Sequence, residues 1–246
     1  MACLFVYGIG SLTHNYHLTF DIDWAPDASI ELCLDLLGRH GVKGTFFATH
    51  VTDMNREIVS RGHELGIHPN FLPGSSHGED VLGIVQSCLQ FAPEARYMRT
   101  HSLVQSSQLL YEVFKSFPQL TTDLSLFMHR SEHAHRCEWK FGEVSFQRVL
   151  YNWEDDAEFF NPDFDHSTPA FFGEVTVYDF HPIHVHLNSR DLLPYTRLKE
   201  SLSSRRMFDV TDSEVNSHRS PGPGTRDFLE AVISSSAHSI TVEDIT

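Results

Sequence analysis

Leu18, Phe20 and Ile22 alternate with Thr19 and Asp21, the period-two pattern of a strand. Pro26 ends that pairing and suits the first turn of a helix. Ile30, Cys33, Leu34 and Leu37 then recur at helical spacing until Gly41. Gly44–Thr49 reads as a second strand, Asn55–Ser60 as a helix ended by Gly62, and Glu64–His68 as a third strand. Strand, helix, strand, helix, strand in this rhythm predicts parallel βαβ units. The Pro, Gly and Ser content of Pro69–Gly78 predicts a loop. Val81, Ile84, Val85, Cys88 and Leu89 form the next helical face, Arg96–His101 a strand and loop, Leu109–Phe117 a helix, and Leu120–Phe127 a strand. His129–Lys140 reads as an exposed polar excursion, and strands follow near Glu143–Leu150 and Glu174–Phe180. Ser189–Pro223 reads as irregular, Thr225–Ser234 as a helix and Ser239–Val242 as a last strand. Cys3–Gly8 fits either a first strand or a lead-in. With no repeat and no linker, one α/β domain over residues 1–246 is the economical reading.

Polar residues collect where these strands end. Asp21 and Asp23 close the first, His68 the third, and Arg99 and His101 the fourth; Trp153-Glu154-Asp155-Asp156 and His181-Pro182-Ile183-His184 follow later ones. The carboxyl ends of parallel strands are where such folds bind ligands. Two acids one residue apart on a strand share a face, so Asp21 and Asp23 converge, one able to bind a metal while the other takes a proton. His184 and His186 read as solvent-facing, and parity puts His63 on the opposite face from His68.

Composition narrows the chemistry. A net charge of −15 disfavours nucleic acid and anionic membrane surfaces as partners. The 17 histidines favour a metal site, since neutral imidazole is the commonest protein metal ligand. The 4 cysteines lack paired spacing and predict reduced, mostly packed thiols in a cytoplasmic protein. No apolar run approaches membrane-spanning length and no basic leader is present, so membrane insertion is not expected.

Taken together, the motifs resemble the polysaccharide deacetylase family, the NodB-homology domain of carbohydrate esterase family four. Thr19-Phe20-Asp21-Ile22-Asp23 is similar to its opening motif, and Gly44-Thr45-Phe46-Phe47-Ala48 to its second strand. Gly62–His68 resembles the approach to its first metal histidine, Arg99 its third motif, Trp153-Glu154-Asp155 its fourth, and the histidine after Val175–Phe180 its last. The narrower likeness of His68-Pro69-Asn70-Phe71 and Phe180-His181-Pro182-Ile183-His184 is to cytoplasmic members found with O-antigen biosynthesis. The resemblance implies a distorted (β/α)7-type barrel, a divalent metal, usually zinc, and an N-acetylated sugar substrate. By position it makes Asp23 and His68 metal ligands, Asp21 the general base, Arg99 the residue that orients that base, and His181 the general acid.

One departure matters. The family's metal histidines lie four residues apart, and Leu72 stands where the second would be. His77, across the Pro-Gly-Ser loop, is the substitute ligand of choice, with the Asn70 carboxamide as competitor. The expected reaction is hydrolysis of a sugar N-acetyl group, with Glu154 or Asp155 fixing the His181 tautomer. Trp24, Phe71, Trp153 and Phe172 are candidates for a sugar platform. Two other readings compete: a haloacid-dehalogenase-like phosphatase using Asp21, which lacks a suitably placed lysine and acidic pair, and a degenerate, non-catalytic sugar- or metal-binding barrel.

Overall fold

The structure is a computed structural model that describes residues 14–132 and 136–245, so the Cys3–Gly8 segment lies outside the described residues. Ten strands form one sheet: β1 (Asn15–Asp21), β2 (Gly44–Ala48), β3 (Glu64–Ile67), β4 (Tyr97–Met98), β5 (Thr122–Phe127), β6 (Arg136–Phe141), β7 (Val144–Tyr151), β8 (Trp153–Glu154), β9 (Val175–Phe180) and β10 (His238–Ser239). Their order is β6-β7-β5-β4-β3-β2-β1-β9-β8, with β10 beside β1. Among the described residues, every pairing is parallel except the β6–β7 hairpin.

A single residue, Asn152, separates β7, which pairs with β5, from β8, which pairs with β9. The Asn152 amide donates to Val177 O (3.0 Å), and its side-chain oxygen accepts from Val177 N (2.9 Å). These bonds at Asn152 link the two ends of the strand order, in keeping with the distorted (β/α)7-type barrel that the family resemblance implies, with the β6–β7 hairpin as an addition at its edge.

Strand parity sorts the side chains. Leu18 and Phe20 of β1, and Ile22 just beyond it, join the outer core, where Phe20 lies 4.5 Å from Phe46 and 5.9 Å from Phe180, ring centre to ring centre. The helices Asp27–His40, Pro182–Leu187 and Thr225–Ile233 supply apolar partners to the same cluster. Truncating a buried Phe such as Phe20 to Ala costs ~3–5 kcal/mol. The alternate residues His17, Thr19 and Asp21 are buried on the other face. A second apolar cluster unites Phe47, Tyr97, Leu124, Tyr151 and Val177 with Val242 and Ile245 of the last helix. Gly66 is required there: a Cβ would come within 2.8 Å of both the Phe47 ring and Tyr97 O.

Three segments differ from the sequence reading. Arg136–Phe141, within the expected excursion, is strand β6, whose exposed residues pair with β7 through the backbone and so leave little hydrophobic signal. The stretch expected to be irregular carries the helices Leu193–Ser201 and Asp212–Ser217, the second opened by a Thr211/Glu214 capping box. The last strand is only His238–Ser239, and Val242–Ile245 is helical.

Candidate active site

Asp21 ends β1, and the two residues beyond Ile22, Asp23 (φ 45°) and Trp24 (φ 54°), both adopt left-handed backbone. Consecutive non-glycine residues in that region are uncommon and concentrate at functional sites. The turn is held by Ala25 N donating to Ile22 O and Trp24 N donating to Thr49 Oγ1, both at 2.8 Å. His68 follows β3, its amide donating to Ala48 O (2.9 Å). His101 follows β4, its amide donating to Pro69 O (3.0 Å).

These three segments bring together Asp23 Oδ1, His68 Nε2 and His101 Nδ1. The separations are 3.2 Å from Asp23 to His68, 3.0 Å from Asp23 to His101 and 3.3 Å between the two imidazoles. A tetrahedral ion with bonds of about 2.0–2.1 Å has ligand–ligand edges of ~3.3 Å. One carboxylate and two imidazoles on such a triangle fit a zinc-like ion that keeps an open position. The His68 side chain is buried, whereas those of Asp23 (24%) and His101 (20%) are partly exposed, so the triangle opens outward. Burial disfavours the Asp23 carboxylate, but hydrogen bonds from His101 and His68 and the nearby imidazoles outweigh it and hold its pKa well below the usual range.

His77 is not in this cluster. Its Nε2 bonds Thr49 O at 2.6 Å, its Nδ1 accepts from Asn70 N at 3.1 Å, and its ring stacks on Trp24. With both nitrogens engaged it holds its loop against the barrel, and the place beside Asp23 and His68 expected for His77 is taken by His101. The Asn70 side-chain oxygen is turned to its own loop, accepting from Leu72 N at 2.9 Å.

Two arms flank the triangle. On one, Asp21 Oδ1 accepts from Arg99 Nη1 at 3.0 Å, while Asp21 Oδ2 lies 3.6 Å from His68 Nε2. Arg99 is fully buried between the Phe47 and Tyr151 rings and donates through Nε to Leu124 O (3.0 Å). It also bonds Asp179, an acid the motif reading passed over because it sits within the apolar run of β9. Burial pushes the Asp179 pKa well up, against the pull of Arg99.

On the other arm, Asp155 grips His181 twice: Oδ2 accepts from His181 N (2.9 Å) and Oδ1 bonds Nδ1 (2.7 Å). That leaves His181 Nε2 facing the triangle, 3.8 Å from Asp23 Oδ2. Burial opposes the charged imidazole, but Asp155 overrides it and raises the His181 pKa well above its ordinary value. Glu154 stands beside Asp179 in the β8–β9 ladder, and burial, then Asp156, raises its pKa to about 8.

Pro182 opens a helix in which His184 and His186 are buried rather than solvent-facing. Burial lowers the His184 pKa to about 3, with the His181 charge adding to the shift. His186 Nδ1 bonds Ser29 Oγ at 2.9 Å. His63 is structural, its Nδ1 accepting from Gly44 N at 3.2 Å. Of the platform candidates, Trp24 lies against His101 at the site; Trp153 is fully buried in the outer core, and Phe71 and Phe172 pack against core clusters.

A sequence profile of WbmS-like polysaccharide deacetylases matches residues 18–199. The chain belongs to this family. A protein of Bordetella bronchiseptica, described as a polysaccharide deacetylase involved in O-antigen biosynthesis, is 31% identical over 89% of each chain, with a TM-score of 0.76. A Mycobacterium smegmatis protein described as a polysaccharide deacetylase shares the fold, with a TM-score of 0.54 and 17% identity over 95% of this chain and 88% of its own. No protein of curated function matches the chain. Membership favours a deacetylase over the phosphatase alternative. Among the described residues, no helix of this deacetylase-family chain is long and apolar enough to cross a membrane.

Proposed function

We propose that this chain is a divalent-metal-dependent N-deacetylase that releases acetate from an N-acetylated amino sugar of a surface polysaccharide or its precursor. The carrying observation is the 3.0–3.3 Å triangle of Asp23, His68 and His101, set between Asp21 with Arg99 and His181 with Asp155. Asp23, His68 and His101 hold the ion, zinc being the best match to one carboxylate and two imidazoles. When bound, the ion supplies Lewis acidity, which polarises the acyl carbonyl and acidifies water.

Asp21 takes the proton of the attacking water. Its Oδ1 is pinned by Arg99, which leaves Oδ2 toward the reacting centre. His181 delivers a proton from Nε2 to the departing sugar nitrogen, with Asp155 fixing the ring through Nδ1. His184 is disfavoured as the acid, since burial lowers its pKa to about 3 and its Nδ1 is engaged with Ser189 Oγ at 3.1 Å. Trp24, beside His101, offers an apolar face for the sugar ring. The O-antigen association of the Bordetella relative supports an amino sugar of a surface polysaccharide, or of its precursor, as substrate.

The reading is tested by acetate release from N-acetylated sugars carried on nucleotide, lipid or polymer, with metal-free and metal-reloaded protein. Release that requires the metal and disappears in Asp21→Asn supports it. Metal-loaded protein that binds these sugars and releases no acetate supports the non-catalytic barrel instead.

A further inference from the structure

The segment that carries His101 is unusual. Ser102 (φ 52°) and Leu103 (φ 54°) are consecutive left-handed residues, and neither is glycine. Such backbone persists only where the surroundings over-determine it. The surroundings here are a single polar assembly on β5 and β7.

Between Asp123 and Leu126, β5 slips register against β7. Such irregularities next to active sites re-aim side chains and end regular pairing. The His101 segment attaches to this slip at three places. Arg99 Nε donates to Leu124 O (3.0 Å), Thr100 N donates to Ser125 Oγ (2.9 Å), and Gln105 Nε2 donates to Ser125 O (2.6 Å). The attachments fall on both sides of His101 and of the left-handed pair.

Ser125 is itself fixed. Its hydroxyl donates to Asp123 Oδ1 at 2.6 Å, so its lone pairs are aimed at Thr100 N. Asp123 is fully buried and its other oxygen accepts from Arg148 Nε at 2.7 Å. Arg148 completes the loop by donating through Nη2 to Gln105 Oε1. The chain of bonds therefore runs Thr100–Ser125–Asp123–Arg148–Gln105 and returns to the peptide of Ser125. None of these four side chains on β5, β7 and Gln105 reaches the Asp23–His68–His101 triangle, so none is a ligand.

Resting on the reading of His101 as a metal ligand, we propose that Ser125, Asp123, Arg148 and Gln105 are positioning residues that pre-set the His101 segment for the ion. A second histidine four residues after His68 would supply the third ligand from the neighbouring loop. Leu72 removes that option, and a ligand on a strained loop needs outside support. Groups bonded directly to a metal ligand are worth ~10–100-fold in metal affinity, which is the upper bound for a brace that acts through the backbone of the His101 segment.

The experiment uses the full chain freed of metal, titrated with Zn2+ against a chromophoric chelator and with Co2+, whose visible absorption reads the ligand set. Ser125→Ala removes the Thr100 acceptor. Gln105→Leu, at a half-buried site, removes the attachment to Ser125 O with little risk to folding. Ser125→Thr restores the hydroxyl. The brace predicts that Ser125→Ala and Gln105→Leu each weaken Zn2+ binding, by up to ~10–100-fold, and alter the Co2+ spectrum. Ser125→Thr recovers both, and metal-free melting of Gln105→Leu stays near wild type. Wild-type affinity in Ser125→Ala or Gln105→Leu, whatever its melting temperature, overturns the brace. Wild-type affinity in His101→Ala overturns instead the ligand assignment beneath it.

Discussion

Two loops follow neighbouring strands at the barrel mouth, and each carries a histidine. The loop after β3 is rich in Pro, Gly and Ser, and its pliancy suggested that His77 could swing onto a metal. It does the reverse: His77 is the post around which the loop is wrapped, bonded to Thr49 O and Asn70 N and stacked on Trp24. The loop after β4 has no glycine and looks stiff, yet it adopts the left-handed pair Ser102–Leu103 and presents His101 Nδ1 to Asp23 and His68. A histidine is available as a ligand when a ring nitrogen is left facing other ligand atoms; flexibility of its loop does not confer that.

The sharpest way to break this contrast is to exchange the fates of the two histidines. His101→Ala should lose the ion and with it nearly all acetate release, the largest effect anticipated for any single change at the site. Next in size is Asp21→Asn, which should keep metal and fold while slowing turnover ~10²–10⁴-fold, the range for loss of a general base. Turnover that survives in Asp21→Asn while metal content falls would place Asp21, not Asp23, among the ligands.

His181→Ala should also retain metal and lose turnover, by ~10²-fold or more, and with it the basic limb of the pH–rate profile. That limb reports the acid losing its proton, and the pKa of His181 is raised by Asp155 while that of His184 is lowered to about 3. An intact limb in His181→Ala, lost in His184→Ala, would transfer the role. His77→Ala should leave metal content and kcat close to wild type but reduce stability. It leaves Thr49 O and Asn70 N without that partner, at a cost of ~1–3 kcal/mol; denaturant melts measure it.

The smallest and most general test concerns a third histidine of the His77 kind. Both nitrogens of His17 are engaged, by Ile240 O (2.7 Å) and Thr45 Oγ1 (2.9 Å), and burial lowers its pKa to about 4. Its folded pKa lies below the unfolded value near 6.5, so the unfolded chain binds the proton more readily and stability falls as pH drops from about 6.5 toward 4. The full shift corresponds to an upper limit of about 3 kcal/mol. His17→Gln should flatten that stretch of the stability–pH curve, and an unchanged slope would mean that His17 is already charged in the fold.

How much of this was legible in the chain follows from what each signal encodes. Period-two alternation in residues 18–22 and the βαβ rhythm encode the parallel βαβ units, because parity puts one set of side chains against helices and the other on the opposite face; the barrel came only with the family resemblance. Strand ends encode the barrel mouth, and Asp21, Asp23, His68, Arg99, Asp155 and His181 do meet there. Spacing carries no information on left-handed turns, so neither the inward aim of His101 nor the binding of His77 to its own loop could be read from it. Asp179 was hidden within an apolar strand, and Ser125 within a register slip that alternation cannot show. The exposed strand β6 gave no apolar face to detect.

The most direct measurement is anomalous diffraction at the zinc edge from crystals of the metal-loaded protein. The account places a single strong peak at about 2.0–2.2 Å from an Asp23 carboxylate oxygen, His68 Nε2 and His101 Nδ1, with His77 still bonded to Thr49 O. A peak bound by His77, with His101 turned away from it, would contradict the account.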